Sequence, residues 1–222
     1  MKALLLVGSP RKGKSASETL GAYLLGQLEN NDIAVDKAYV YPAIKSEEKL
    51  EALVKTVATA DVVIIAAPLY VDSLPAAVIK LLEVLSRDLG QYTRPDHQLL
   101  LAISNGGFPE ASQNDIALAI YRRFAEETGF VWAGGMAVGG GEALKGRPLE
   151  ASGGMARNVV AGLDMAAAAL AEGNPVPQEA EELVSEPMMP SRIYRLMGNL
   201  GWWMQAGEYG TRRKLRTRVW EQ

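Results

Sequence analysis

KALLLVGSPRKGKSASETLGAYLLGQL, residues 2–28, is an apolar run that breaks into a glycine-containing loop and resumes at helical spacing. Ala3 to Val7 is uninterrupted, as in a strand covered on both faces. Leu20, Leu24 and Leu28 then recur four residues apart, marking one face of a helix. At such a strand–loop–helix junction, backbone N–H groups and small hydroxyls meet an anion, helped by the helix dipole. Read literally, Gly8 to Ser15 also satisfies G-x-x-x-x-G-K-[ST], the phosphate loop of nucleoside triphosphatases. The rest of the chain has to decide which phosphate the loop serves.

Outward from this unit, apolar runs alternate with helical patterns. Ile33 to Val40 predicts a second strand, Val62 to Ala66 a third, Leu99 to Ile103 a fourth, and Phe130 to Val138 contains a fifth. Between them, Leu50, Leu53, Val54 and Val57 give a helix face with Ser46 as its N-cap. Val78, Leu81, Leu82, Leu85 and Leu89 give another, with Pro75 near its first turn. Ile116, Ile120, Tyr121 and Phe124 mark a further helix that stops at Gly129, and Ala156 to Ala171 an alanine-rich one. Five strands alternating with helices predict parallel strands joined by right-handed crossovers. The simplest such fold is an α/β flavodoxin-like, doubly wound five-stranded sheet in the order 2-1-3-4-5. In this fold ligands gather beyond the carboxyl ends of the strands. The chemistry should therefore lie in GSPRKGKS, APLYVDSLP, SNGGFPEA and GGGEALKG, the loops after strands one, three, four and five.

Composition narrows the chemistry. The 222 residues contain no cysteine, which excludes disulfides, thiolate metal sites, cysteine-ligated clusters and cysteine nucleophiles. His97 is the one histidine and precedes the fourth strand, away from the loops, so neither a multi-histidine metal site nor a Ser-His-Asp hydrolase is expected. A net charge of −3 disfavours a general nucleic-acid binder. The opening MKALLLVGSP lacks the length of a secretory signal, and VVIIAAPLYV is half of a membrane span. A soluble cytoplasmic protein is the expectation.

A triphosphatase needs a magnesium ligand, usually an Asp ending an apolar strand. The third strand instead ends in Ala-Ala-Pro and the fourth in Ser-Asn, while Asp61 stands before its strand. A phosphate monoester held without metal, such as the terminal phosphate of FMN, suits the loop better. Ser9, Ser15 and Ser17 offer hydroxyls, the Ser15, Ala16 and Ser17 amides offer N–H, and Arg11 or Lys14 adds charge. Ser15 and Ser17 can also act as helix caps, which is compatible.

GSPRKGKSAS, then APLYVDSLPAAVIKLLEVL, then SNGGFPEASQN, each after its expected strand, resembles the NAD(P)H-dependent FMN reductase and iron–sulfur flavoprotein branch of the flavodoxin-like superfamily. The resemblance implies FMN as cofactor, NADH or NADPH as co-substrate, and a small electron acceptor such as a quinone or free flavin. It implies that Pro68, Leu69, Tyr70 and Val71 run beside the isoalloxazine, with loop amides donating to its polar edge, and that Asn105, Gly106 and Gly107 lie at its pyrimidine side. GGGEALKG, with Glu142, Lys145 and Arg147, reads as a surface loop after strand five, and bordering the nicotinamide is its alternative role. Relatives of this type are commonly homodimers or homotetramers. The chain departs from the pattern in lacking the cluster cysteines, in having Ala16-Ser17 where Asn-Thr is frequent, and in having Gly106 where some relatives place Cys. No catalytic side chain is assigned, because the flavin carries hydride transfer itself. A flavodoxin-like electron carrier is the alternative, and a triphosphatase a more distant one.

After Pro177 the composition changes. QEAEELVSE is acidic, PMMP interrupts, and RIYRLMGNLGWWMQAGEYGTRRKLRTRVW is aromatic and basic. The expected organisation is one FMN-binding domain over residues 1–174 and an extension over 175–222 that packs on the core or on a partner subunit. Ile193, Leu196, Met197 and Leu200 form a helical stripe within it.

Overall fold

The computed structural model describes residues 1–144, 147–215 and 217. Strands β1 (Lys2–Val7), β2 (Ala34–Tyr39), β3 (Val62–Pro68), β4 (Leu99–Asn105) and β5 (Val131–Val138) form one sheet in the order 2-1-3-4-5. Every neighbouring pair is parallel. This is the flavodoxin-like order.

Side chains alternate across the sheet and build two cores. Ala3, Leu5 and Val7 face the layer of α1 (Ala16–Asn30) and α6 (Arg157–Ala171). Leu4 and Leu6 face the layer of α3 (Glu47–Ala58), α4 (Ala76–Asp88) and α5 (Asp115–Thr128), beside the short α2 (Val40–Ala43). Leu4, Leu5, Leu6, Leu20, Leu24 and Leu28 are fully buried, and each such side chain contributes about 1.5–3 kcal/mol. The helix boundaries follow local chemistry. Ser46 caps α3 by accepting from the Lys49 N–H, and Gly129 closes α5 in the left-handed conformation at φ 75°. Pro75 is the N-cap of α4, so its missing N–H costs nothing. On α5 the buried face is Ala117, Tyr121, Phe124 and Ala125, whereas Ile116 is 60% exposed. At about 100° per residue, Ile116 lies roughly 120° from the centre of that buried face.

The domain boundary differs from the sequence expectation. The first compact unit runs from Met1 to Met188 rather than ending at 174, and the second begins at Met189. The reason is a bulge. Between β4 and β5 the register slips at Leu100/Leu101, and Gly134 takes φ 141°. The freed Gly135 N–H donates to Glu181 Oε1 at 2.7 Å, from α7 (Gln178–Ser185), and the Val176 N–H donates to Ala133 O. Ala180 and Val184 are fully buried against α6 at Gly162, where a Cβ would stand 2.6 Å from Ala180 O. The acidic α7 therefore belongs to the α/β unit.

The second unit contains α8 (Ser191–Glu208), closed by the Thr211 N–H donating to Ala206 O at 2.8 Å. Among the described residues, no helix is long and apolar enough to cross a membrane.

Candidate functional site

β1 and β2 end together, two residues before β3, β4 and β5. Val7 pairs with Tyr39 and Ala66, while Pro68 pairs with Asn105 and Asn105 with Val138. Their loops therefore meet at one edge, laced by backbone hydrogen bonds. The Leu69 N–H donates to Asn105 O, the Gly106 N–H to Val138 O and the Gly141 N–H to Gly106 O. They enclose a cleft of ≈ 530 Å³, counting the open space at its mouth. Twelve of the thirteen residues expected from sequence line it: Ser9, Arg11, Lys14, Ser15, Ala16, Ser17, Pro68, Leu69, Tyr70, Asn105, Gly106 and Gly107. Gly141 and Glu142, from the loop after β5, complete the wall.

The hydroxyls on the loop after β1 are not equivalent. Ser15 Oγ accepts from the Glu18 N–H at 3.2 Å, capping α1, and Ser9 Oγ accepts from the Arg11 N–H at 3.3 Å. Both side chains therefore accept internally through a lone pair, and a hydroxyl in that role can still donate its proton. Ser17 differs: its hydroxyl, fully buried, donates to Asn105 Oδ1 at 2.6 Å and ties the first loop to the end of β4. What Ser17 retains toward an anion is its N–H. Ala16 and Ser17 open α1, where amides have no carbonyl a turn earlier to accept them.

Glu18, which sequence reasoning missed, holds the loop in place. Its carboxylate accepts from the Gly13 N–H at 2.6 Å, from Lys37 Nζ at 3.1 Å and from the Tyr39 hydroxyl. Burial pushes its pKa up, but the hydrogen bonds from Tyr39, Gly13 and Lys37 outweigh this and hold it below the ordinary 4.5. Gly13 at φ 71° suits glycine. Lys12 Nζ lies 4.7 Å over the Tyr39 ring. No sequence signal joined Glu18 to Lys37 and Tyr39, because the pairing of β1 with β2 is what brings them together.

The loop after β3 departs from expectation. The Tyr70 and Ser73 backbones exchange hydrogen bonds across a tight turn with Val71 at φ 51° and Asp72 at φ 54°. Val71 is therefore at the turn tip, 98% exposed and outside the cleft lining. A β-branched residue in this region is strained. The Leu69 and Tyr70 amides are committed to Asn105 O and Ser73 O, so they do not supply the donors foreseen for a ring edge. Tyr70 itself is 41% exposed and lines the cleft rather than the core.

Around β4, the Ser104 hydroxyl donates to Asn114 Oδ1 and Asn114 Nδ2 donates to Ala111 O, fixing the loop that carries Gly106 and Gly107. Gly141 has to be small, since a Cβ there would come within 2.9 Å of Asn105 Nδ2. Glu142 pairs with Arg11 at 3.4 Å, both exposed, across the mouth. Arg147 stands outside the cleft lining, and Lys145 lies outside the described residues. His97 is exposed in the turn before β4, and Asp61 Oδ2 accepts from the Lys2 N–H at the opposite sheet edge.

Small hydroxyls, helix-start amides and two cations at one end, with Pro68, Leu69, Tyr70 and a glycine-walled slot beyond, fit a phosphate monoester attached to a flat ring system. Among the described residues the cleft's one carboxylate is Glu142, already paired with Arg11, so a triphosphate–magnesium site finds no ligand set there.

The sequence pattern of the NADPH-dependent FMN reductase family matches residues 1–120, more than half of the chain, and the chain belongs to that family. Among solved structures, an azoreductase from Bacillus anthracis str. Sterne is similar at 14% identity and a TM-score of 0.51, over 77% of this chain and 98% of that one. A flavone reductase is similar at 12% identity and a TM-score of 0.54, over 78% of this chain and 65% of that one. Rubredoxin oxygen:oxidoreductase from the anaerobe Desulfovibrio gigas is similar at 13% identity and a TM-score of 0.53, over 77% of this chain and 35% of that one. At these identities the likeness concerns the fold. No curated protein sequence matches the chain. Family membership makes the protein a flavin-dependent oxidoreductase with FMN as cofactor and a reduced nicotinamide as co-substrate.

Proposed function

We propose that the protein is an FMN-dependent NAD(P)H oxidoreductase whose second substrate is a small acceptor such as a quinone or free flavin. Bound FMN would supply the two-electron chemistry, taking hydride from the nicotinamide and releasing electrons to the acceptor. The chain's own part is binding and orientation. Ser9, Ser15, Ala16 and Ser17 hold the phosphate through two hydroxyl protons and the helix-start amides, with Arg11 and Lys14 balancing its charge. Pro68, Leu69 and Tyr70 flank the ring, and Asn105, Gly106 and Gly107 border its pyrimidine edge, where missing Cβ atoms allow close approach. The open mouth beside exposed Tyr70 leaves room for a second planar molecule.

The observation that carries this reading is the convergence of three separate family segments on one cleft. Steady-state oxidation of NADH and NADPH by the FMN-loaded protein, with a water-soluble benzoquinone or free FMN as acceptor, tests it. Turnover that scales with bound FMN is expected. FMN-loaded protein that oxidises neither nucleotide with either acceptor would instead indicate an electron carrier.

A further inference from the structure

The segment after Met188 carries most of the exposed large apolar side chains among the described residues. On α8, Ile193, Leu196, Met197, Leu200, Trp203 and Met204 are each 50–70% exposed. At helical spacing these six fall within an arc of about 120°, one continuous stripe along the helix. Eighteen residues make that stripe about 27 Å long. The opposite side carries Arg195, Asn199 and Gln205 together with the exposed Trp202, and no described helix is long and apolar enough to span a bilayer, so the stripe suits an interface.

Charge separates the same way. Residues 189–222 hold seven Lys and Arg and two Glu, a net +5 in a chain of net −3, which leaves −8 on residues 1–188. The cations bracket the stripe. Arg192 and Arg195 sit on its first turns, and Arg212, Arg213 and Lys214 form a turn just after its end. The Arg212 guanidinium stacks 3.9 Å over the Trp203 ring and its Nε donates to Trp203 O, fixing a cation at the stripe's edge.

From this arrangement we propose that α8 and the basic turn after it dock the protein on an anionic lipid surface, with the apolar stripe at the acyl boundary and the cations among the headgroups. Two signals act together, as stable peripheral binding requires: buried apolar area and attraction to anionic lipid. The −8 unit is repelled by the same surface, which orients the chain tail-first. Pairing two copies through this stripe would bring like-charged +5 segments together. The exposed large apolar side chains described before Met189 are few and scattered, Met1, Tyr70, Val71, Phe108, Ile116 and Val131, and give a second copy's stripe no matching run. The proposal does not depend on the redox reading.

Flotation of the full-length protein with vesicles tests it, comparing phosphatidylcholine alone with phosphatidylcholine and phosphatidylglycerol in about a 7:3 ratio. The wild type is expected to bind the anionic vesicles about tenfold more than the neutral ones. The Leu196→Glu and Leu200→Glu double variant and the Arg213→Glu and Lys214→Glu double variant should each lose about tenfold, with circular dichroism and NAD(P)H oxidation unchanged. Wild type that stays unbound overturns the proposal, as does a Leu196/Leu200 variant that binds like wild type. Sedimentation showing a dimer that this variant dissolves, without vesicle binding, would assign the face to a second copy instead.

Discussion

Ser15 has two roles that one substitution separates. It caps α1 through its Oγ, and it lines the end of the cleft proposed to hold the phosphate. Aspartate caps helices as well as serine does, so Ser15→Asp preserves the helix. It also places a negative charge within about 5 Å of the phosphate, worth roughly 3 kcal/mol of repulsion at a near-surface dielectric, or about 100-fold in affinity. Flavin fluorescence titration should show that loss while the melting temperature holds. Glu18 gives a prediction with a sign. Its pKa is depressed below 4.5 in the folded state, so its contribution is fully present above that value and is lost as the pH falls through the depressed value. Glu18→Gln should lower the melting temperature by about 5 °C at neutral pH, and the gap to wild type should close on acidification below that value. A gap independent of pH would mean that the carboxylate charge does not hold the loop.

At the scale of elements, what the sequence discloses depends on how each element is buried. Central strands covered on both faces show as unbroken runs, so β1, β3 and β4 are legible to within two residues. Helix stripes such as that of α4 are equally plain. The site loops are legible for the same reason, because the carboxyl ends of parallel strands must share an edge. By contrast, α7 reads as a solvated acidic segment. Its attachment comes from two small side chains and one carboxylate reaching a bulge at Gly134 and Gly135, which no periodicity reveals. Likewise Val71 looks like a ring-side residue until the turn tip carries it outward. A chain ending at Met188 should therefore fold and melt cooperatively, whereas one ending at Asn174 should melt lower or fail to fold. Gly162→Val, which forces a side chain into Ala180 O and Val184, should cost about 1–3 kcal/mol in denaturant titration. Equal stability of the two truncations would mean that α7 is not part of the core.

At the scale of the whole molecule, two chemically distinct parts share one chain: an acidic α/β unit with the cleft and a cationic, apolar-striped segment after it. The first is accounted for by family and site together. Its literal triphosphatase pattern is accommodated without a metal, because the loop offers hydroxyls, amides and cations while the strand ends offer no carboxylate. The central claim is that the cleft holds FMN by its phosphate. The absorption spectrum of the purified or FMN-reconstituted protein, with mass analysis of whatever denaturation releases, tests it most directly. The account predicts a flavin spectrum and release of FMN at about one per chain. A colourless protein that takes up no FMN, or one that releases a nucleoside triphosphate with its divalent ion, would contradict it.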